Sequence, residues 1–216
     1  MNTASAATRI VNVSAFVDWN AQLILTKIDF EAEPQKAATA AFRQTTRRIA
    51  RCLAEIDENK RFRVAMRLYH GWHQGYEPTV NRKAAQIVIA QSDFATLSQR
   101  PNVIFSPNVE FGDKLIAATN RRLHRKLAIH LPNTVRRRFG TELEEKMVDT
   151  ALAADLVATA YRDAGEWIVV VTEDDDLVPP VYVAEAALVG SEAKVVLLRK
   201  RAQMGMLILE DILRTG

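Results

Sequence analysis

The chain has 216 residues, of which 48% are hydrophobic and 25% are charged. This length suits one large α/β domain or two small ones, and the composition excludes a disordered chain, a collagen and a coiled coil. Its apolar stretches are shorter than the roughly 20 residues that a membrane helix needs, and its N-terminus does not resemble a secretory signal. The single cysteine, Cys52, excludes an internal disulfide and a cysteine-based zinc site, so we expect a cytoplasmic protein.

The net charge of +3 conceals an uneven distribution of charge along the chain. Residues 1–140 carry 22 Lys and Arg against 11 Asp and Glu, whereas residues 141–216 carry 7 against 15. Such polarity is typical of a protein that meets an anionic partner on one side and holds an acidic site on the other. Solvated surface charge explains the same numbers, so charge alone does not decide between the two interpretations.

Predicted strands and helices alternate in the first half of the chain. Apolar runs predict buried strands over residues 10–17, 61–69 and 102–106, and Asp18 directly follows the first of them. Apolar side chains three and four positions apart predict an amphipathic helix over residues 35–57. A further helix is expected within residues 81–97, although the middle of that segment could instead be a strand.

The second half begins with an irregular basic section around residues 107–140. A helix is predicted over residues 141–163, with Thr141 and Glu144 as its capping box. Strands over 167–172 and 194–199 flank a second helix over 179–189, which Gly190 closes. Because the strands are apolar rather than alternating, they predict a mostly parallel sheet covered by helices on both faces.

Carboxylates follow two of the predicted strands. Asp18 ends the first strand, and Asp174, Asp175 and Asp176 follow the strand over residues 167–172. In parallel sheets, ligands bind outside the carboxyl ends of the strands, so we expect these groups to share one site. Three adjacent aspartates also suit a solvated acidic turn or a helix cap.

The predicted helix over residues 141–163 supplies further acids. Glu145 and Asp149 are four positions apart and share a face, and the apolar stripe beside Asp149 suggests a partly buried carboxylate. Asp155 lies about 120° round the helix from Asp149. Carboxylate clusters suit Mg²⁺ or Mn²⁺, which can polarise a phosphodiester and supply a metal-bound water as nucleophile.

Three motifs in chain order resemble those of the NYN domains, which belong to the PIN-like nuclease superfamily. The family has an Asp after its first strand, an E-K-x-V-D segment with a later Asp, and a strand that ends in S-G-D-x-D-F-x-P. The corresponding segments here are Val17–Asn20 (VDWN), Glu145–Asp149 (EKMVD) with Ala154–Leu156 (ADL) behind it, and Val171–Pro179 (VTEDDDLVP). The motifs span most of the chain, so the resemblance implies a single NYN/PIN-like domain over residues 1–216.

This resemblance implies a Rossmann-like three-layer α/β sandwich with metal-dependent ribonuclease activity. The expected function is endonucleolytic cleavage of single-stranded RNA through a site that holds Mg²⁺ or Mn²⁺. The resemblance assigns catalytic and metal-binding roles to Asp18, Asp149, Asp174 and Asp176, with Asn20 and Asp155 as further candidate ligands.

An RNA substrate requires cationic side chains along its backbone. The basic section supplies Arg121, Arg122, Arg125, Lys126, Arg136, Arg137 and Arg138, which are the candidate substrate-binding residues. The loop that contains Trp72 and His73 is a second candidate, because both rings can stack on unpaired bases. A solubilising surface and a glycine-rich turn with a half-buried Trp are the alternatives.

Two other functions compete with the ribonuclease. A Toprim-type phosphotransfer domain also uses a D-x-D pair after a buried strand, although it would need a Glu where this chain has Asp18. A catalytically inactive RNA-binding or partner-binding module would show the same motifs. The apolar segment over residues 203–213 either packs on its own domain or binds a protein partner or a second copy of the chain. No membrane partner is expected.

Overall fold

A computed structural model describes residues 10–119, 131, 134–137, 143–200 and 213–215. The α-helices are α1 (Trp19–Leu25), α2 (Pro34–Ile56), α3 (Val80–Gln91), α4 (Val148–Arg162) and α5 (Val178–Ala187). The strands are β1 (Ile10–Asp18), β2 (Arg61–Tyr69), β3 (His73–Gln74), β4 (Glu77–Pro78), β5 (Val103–Phe105), β6 (Glu110–Phe111), β7 (Val135–Arg137), β8 (Leu143–Glu145), β9 (Trp167–Val171), β10 (Val195–Arg199) and β11 (Leu213–Thr215). Short 3-10 helices cover Ile116–Thr119 and Asp175–Leu177.

The central sheet has the strand order β11-β10-β9-β1-β2-β5, and β6 also pairs with β2. All of its strand pairs are parallel. The chain runs outward from β1 through β2 to β5, and it then returns to β9 on the other side of β1. The strand order therefore reverses between β1 and β9, which makes their carboxyl ends the switch point where such folds bind ligands.

Side chains of β1 alternate between two hydrophobic layers, as the period of two in a strand requires. Val13, Ala15 and Val17 pack in the layer that contains the apolar side chains of α2. Phe16 points to the opposite layer, which α4 and α5 fill with residues such as Leu152 and Val181. The protein is therefore an α/β three-layer sandwich of the Rossmann-like kind, and the predicted fold class is confirmed.

Most predicted elements of the sheet and of its first helical layer are confirmed within one or two residues. The strand predicted over residues 61–69 coincides with β2, and the helix predicted over 35–57 is α2. The ambiguous segment around residues 84–90 is helical, since it lies inside α3. Helix α1 was not predicted, because its seven residues are too few to show a clear helical period.

The start of α4 is a correction to the sequence analysis. A helix from Thr141 with a capping box at Glu144 was expected, but Leu143–Glu145 is a strand that pairs antiparallel with β7. Met147 has a left-handed backbone conformation, with φ at +64°, so a continuous helix cannot pass through it. The helix therefore begins only at Val148, and Thr141 lies outside the described residues.

The basic section is partly described. Between residues 107 and 119 it forms β6 and the 3-10 helix at Ile116–Thr119. The described end of the apolar C-terminal segment belongs to β11, which pairs with β10, while residues 203–212 lie outside the described part of the chain. Among the described helices, none combines the length and the apolar character needed to cross a membrane.

The left-handed residue before α4 permits a direct test of where that helix begins. We expect Met147→Gly to be more stable than Met147→Ala by about 0.5–1 kcal/mol, because a left-handed conformation costs an L residue roughly 1–2 kcal/mol and costs Gly almost nothing. In a helix that began at Thr141, residue 147 would be interior and the order would reverse, since Gly is worse than Ala there by about 1 kcal/mol. Urea unfolding of the two variants measures the sign.

Candidate functional site

A hydrogen-bonded bridge joins the two strand ends at the switch point. The Thr172 hydroxyl donates to Asp18 Oδ2 at 2.8 Å, and it accepts a hydrogen bond from the Asp174 backbone N–H at 3.0 Å. Asp18 Oδ1 accepts from the Ala21 N–H at 3.1 Å and so caps α1. The end of β1 and the loop after β9 are therefore held together through one hydroxyl.

The three consecutive aspartates point to different partners. Asp174 caps the following 3-10 helix by accepting a hydrogen bond from the Asp176 N–H at 2.9 Å. Asp175 instead forms an ion pair with Arg199 Nη1 at 2.7 Å. Arg199 is fully buried and also donates to the Glu173 carbonyl at 2.5 Å, so it fixes the loop from beneath. Asp175 is therefore held by a buried arginine, although its own side chain is exposed.

Asp149 lies among the other acidic residues of this edge. Partial burial, together with repulsion from the carboxylates of Asp18, Asp174, Glu145 and Asp176, raises its pKa to about 6. Burial likewise raises the pKa of Asp18 beyond the opposing effect of its hydrogen bonds, and the charges of Glu145 and Asp174 add to the rise. Asp18, Asp149, Asp174 and Asp176, the four predicted ligands, therefore interact electrostatically at one edge of the sheet.

Glu145 joins this edge, although the sequence analysis gave it no role. Its carboxylate accepts a hydrogen bond from the Gly71 N–H at 2.6 Å and contacts His70 Nδ1. Burial on its own would raise the pKa of Glu145, but the interaction with His70 and the Gly71 hydrogen bond outweigh burial and lower it. The spacing of four residues between Glu145 and Asp149 had predicted that the two share one face of a helix. The structure instead places Glu145 in the strand β8.

Carboxylate oxygens, which predominate at this edge, are the donors that a hard divalent cation prefers. Within residues 10–119, 131, 134–137, 143–200 and 213–215, no three His, Cys, Asp or Glu side chains are grouped tightly enough to enclose a metal ion. Mg²⁺ needs no such enclosure, because it usually keeps several waters and takes one or two carboxylates. Repelling carboxylates around Asp149 are the electrostatic environment that a cation relieves.

Asp155 and Asn20, the further candidate ligands, have different surroundings. Asp155 is buried and accepts hydrogen bonds from Arg67 Nε at 3.0 Å, Tyr69 Oη at 2.8 Å and the Ile116 N–H at 2.6 Å. These contacts make Asp155 a structural link between α4 and β2. Asn20 is partly buried in the first turn of α1, two residues after Asp18.

The loop after β2 contradicts the stacking role expected for Trp72. Trp72 is fully buried, and its indole N–H donates to the Leu68 carbonyl at 2.9 Å. The rings of His70 and Phe111 pack nearly perpendicular to it, so it belongs to the core and presents no face to a base. His73 is also buried, with its Nδ1 at 3.4 Å from Asp113. The glycine-rich turn was correctly foreseen, but its Trp is more deeply buried than expected.

The predicted RNA-binding cations lie mostly outside the described residues. Those are Arg121, Arg122, Arg125, Lys126 and Arg138. The backbones of Arg136 and Arg137 lie in β7, which pairs with the strand that carries Glu145. Their role in substrate binding stays a prediction.

Comparisons of the chain with protein-family models, with curated proteins and with solved structures give no match. The resemblance to NYN domains therefore stays a prediction that rests on the three motifs. The residue roles proposed below rest on those motifs and on the geometry of the edge between β1 and β9.

The surroundings of Asp155 lead to a stability prediction. We expect Asp155→Asn to lower the free energy of unfolding by about 3 kcal/mol, because removing one partner of a buried ion pair leaves Arg67 incompletely compensated. Asp163→Asn is the matched control, since Asp163 pairs with Arg162 at the surface and such pairs contribute less than about 1 kcal/mol. Urea unfolding measures both variants, and equal losses would contradict the structural role of Asp155.

The raised pKa of Asp149 predicts how stability depends on pH. Folding favours the protonated carboxyl, so its contribution to stability is full below the unfolded pKa near 3.8 and is lost as the pH rises through about 6. Asp149→Asn should therefore have a higher melting temperature than the wild type at pH 7 and an equal one near pH 4. Solvent screening makes the difference modest, since the burial of Asp149 is only partial and much of the residue stays exposed to water.

Glu31→Gln, which removes a carboxylate from an exposed turn, is the control for this measurement. It should show no such pH-dependent difference in melting temperature. A wild type that is as stable as Asp149→Asn at both pH values would show that the carboxylates do not repel one another at this edge.

Proposed function

We propose that the protein is a metal-dependent endoribonuclease that cleaves single-stranded RNA. Asp18, Asp149, Asp174 and Asp176 would hold Mg²⁺ or Mn²⁺ at the carboxyl ends of β1 and β9. The observation that carries the proposal is the repulsion around Asp149, whose pKa is raised to about 6 by burial and by these same carboxylates. Perturbed carboxylates at a topological switch point are typical of a functional site.

The surrounding residues prepare the carboxylates for this role. Thr172 and the Ala21 N–H hold both oxygens of Asp18, so its orientation is fixed before any ligand binds. The Asp176 N–H holds one oxygen of Asp174 in the same way. A bound divalent cation would polarise the phosphodiester and activate a water, and the proposed reaction requires no covalent enzyme intermediate.

Charge supports an anionic polymer as the substrate. The first 140 residues carry twice as many cationic as anionic side chains, and nucleic-acid backbones bind such surfaces through release of counterions. The choice of single-stranded RNA among nucleic acids rests on the resemblance of the three motifs to those of NYN domains. The burial of Trp72 removes one candidate for base stacking and leaves the cationic residues as the proposed RNA contacts.

Replacing one carboxylate tests the proposal. We expect Asp174→Asn to lower Mn²⁺-dependent cleavage by at least 100-fold, on the scale of losing one catalytic group, while the fold is retained because Asn keeps an oxygen that accepts from the Asp176 N–H. The measurement incubates total RNA with and without Mn²⁺ and sequences the new ends. Asp163→Asn is the control and should cleave like the wild type.

One outcome would contradict the role of Asp174, and another would contradict the ribonuclease itself. If Asp174→Asn cleaves at the wild-type rate, Asp174 has no part in the reaction. If the wild type binds RNA but produces no new ends with either Mg²⁺ or Mn²⁺, the protein is a non-catalytic RNA-binding module. Circular dichroism and melting temperature confirm for each variant that a lost activity is not a lost fold.

A further inference from the structure

Arg48 is a buried cation with few partners. Its side chain lies on α2 and is about nine-tenths buried. Nη1 donates to Gln22 Oε1 at 3.0 Å, but Nε and Nη2 have no hydrogen-bond acceptor among the described residues. Among the described residues the nearest carboxylate is that of Glu173, whose Oε1 is 3.9 Å from Nη2 in a loose ion pair.

Neighbouring side chains on α1 repeat this pattern. Gln22 is 3% exposed, and its carbonyl oxygen receives Arg48 while its amide nitrogen Nε2 has no acceptor in the described part of the chain. Trp19 lies three residues earlier on the buried face of the same helix. Its indole N–H likewise has no acceptor among the described residues. All of these unpartnered atoms are donors, so the group of them matches a ligand that carries only acceptors.

The location connects these donors to the acidic edge. Glu173 lies in the chain between Thr172, which bridges the strand ends, and Asp174. Its carboxylate also accepts from the Lys200 N–H at 2.7 Å and keeps partial exposure to solvent, so Arg48 lies next to a residue at the surface of this edge. Burial lowers the pKa of Arg48, and the nearby Glu173 charge only partly opposes this. An incompletely compensated buried cation is costly to a fold, and a bound anion would reduce that cost.

We propose that Arg48 and Gln22 form a phosphate-binding position beside the carboxylate edge. Tetrahedral phosphate offers several acceptor oxygens, and the planar guanidinium binds it with two parallel N–H donors. The assignment of that phosphate to the backbone of an RNA substrate rests on the proposed function. In this arrangement the carboxylates act on one phosphodiester and Arg48 holds a neighbouring phosphate in place of the Glu173 carboxylate.

Inorganic phosphate tests the position without any catalytic step. In the absence of divalent metal, phosphate should raise the melting temperature of the wild type above that in chloride of equal ionic strength, and Arg48→Gln should abolish this shift. Arg43→Gln, which removes an exposed cation from the same helix, should keep it. Glu173→Gln should bind phosphate more tightly, because it removes the competing carboxylate. Equal shifts in the wild type and Arg48→Gln, or no wild-type shift beyond that in chloride, would overturn the position.

Gln22→Glu keeps the proposal falsifiable if Arg48→Gln does not fold. The new carboxylate has nearly the same shape as the amide and would pair with Arg48 internally. It should raise the melting temperature in chloride and remove the phosphate-dependent shift. A Gln22→Glu protein that still responds to phosphate like the wild type would overturn the proposal.

Binding of a single-stranded RNA oligonucleotide without metal separates the two possible sources of the phosphate. Arg48→Gln should weaken RNA binding about tenfold and flatten the slope of log affinity against log salt by about 0.7, whereas Arg43→Gln should have a smaller effect. Phosphate binding with unchanged RNA affinity would overturn the assignment to RNA and leave a free-phosphate site. If the wild type binds phosphate and RNA through Arg48 but does not cleave RNA, the proposed ribonuclease activity is refuted and the phosphate-binding position is supported.

Discussion

Repulsion among carboxylates at the carboxyl ends of β1 and β9 is the constraint to which the rest of this edge responds. The parallel topology brings Asp18 and the loop that contains Asp174 together because β1 and β9 are neighbours with the same direction. The Thr172 hydroxyl offsets part of the repulsion, because it donates a hydrogen bond to Asp18 and accepts one from the Asp174 N–H. The remaining repulsion acts on Asp149, whose pKa is raised to about 6 by burial and by the neighbouring acids.

Buried arginines support the acidic edge from within the fold. Arg199 of β10 pairs with Asp175 and donates to the Glu173 carbonyl. Arg48 of α2 lies beside the same loop, near the Glu173 carboxylate. Both arginines keep an Nε without an acceptor among the described residues, but Arg199 has a close carboxylate partner in Asp175, whereas the carboxylate of Glu173 is 3.9 Å from Arg48. The difference separates a structural arginine from one that we propose to serve a ligand.

Two aspartates of α4 illustrate how helical geometry assigns different roles to the same side chain. Asp149 and Asp155 are six residues apart, so they point about 120° away from each other round the helix. Asp149 therefore faces the acidic edge, and Asp155 is turned into the sheet, where Arg67 and Tyr69 of β2 bind it. The motif resemblance alone had made both of them candidates for one metal site.

The sequence by itself determined the strands β1, β2 and β9, the helix α2 and the parallel sheet, because buried apolar runs and a helical period are local signals. It also placed Asp18 and Asp174 at strand ends. Only the tertiary structure decided that Glu145 lies in β8 and that Trp72 and Arg48 are buried. Strand pairing between distant segments, a left-handed residue at Met147 and burial against another helix depend on contacts that no local pattern encodes, so these features had to come from the folded chain.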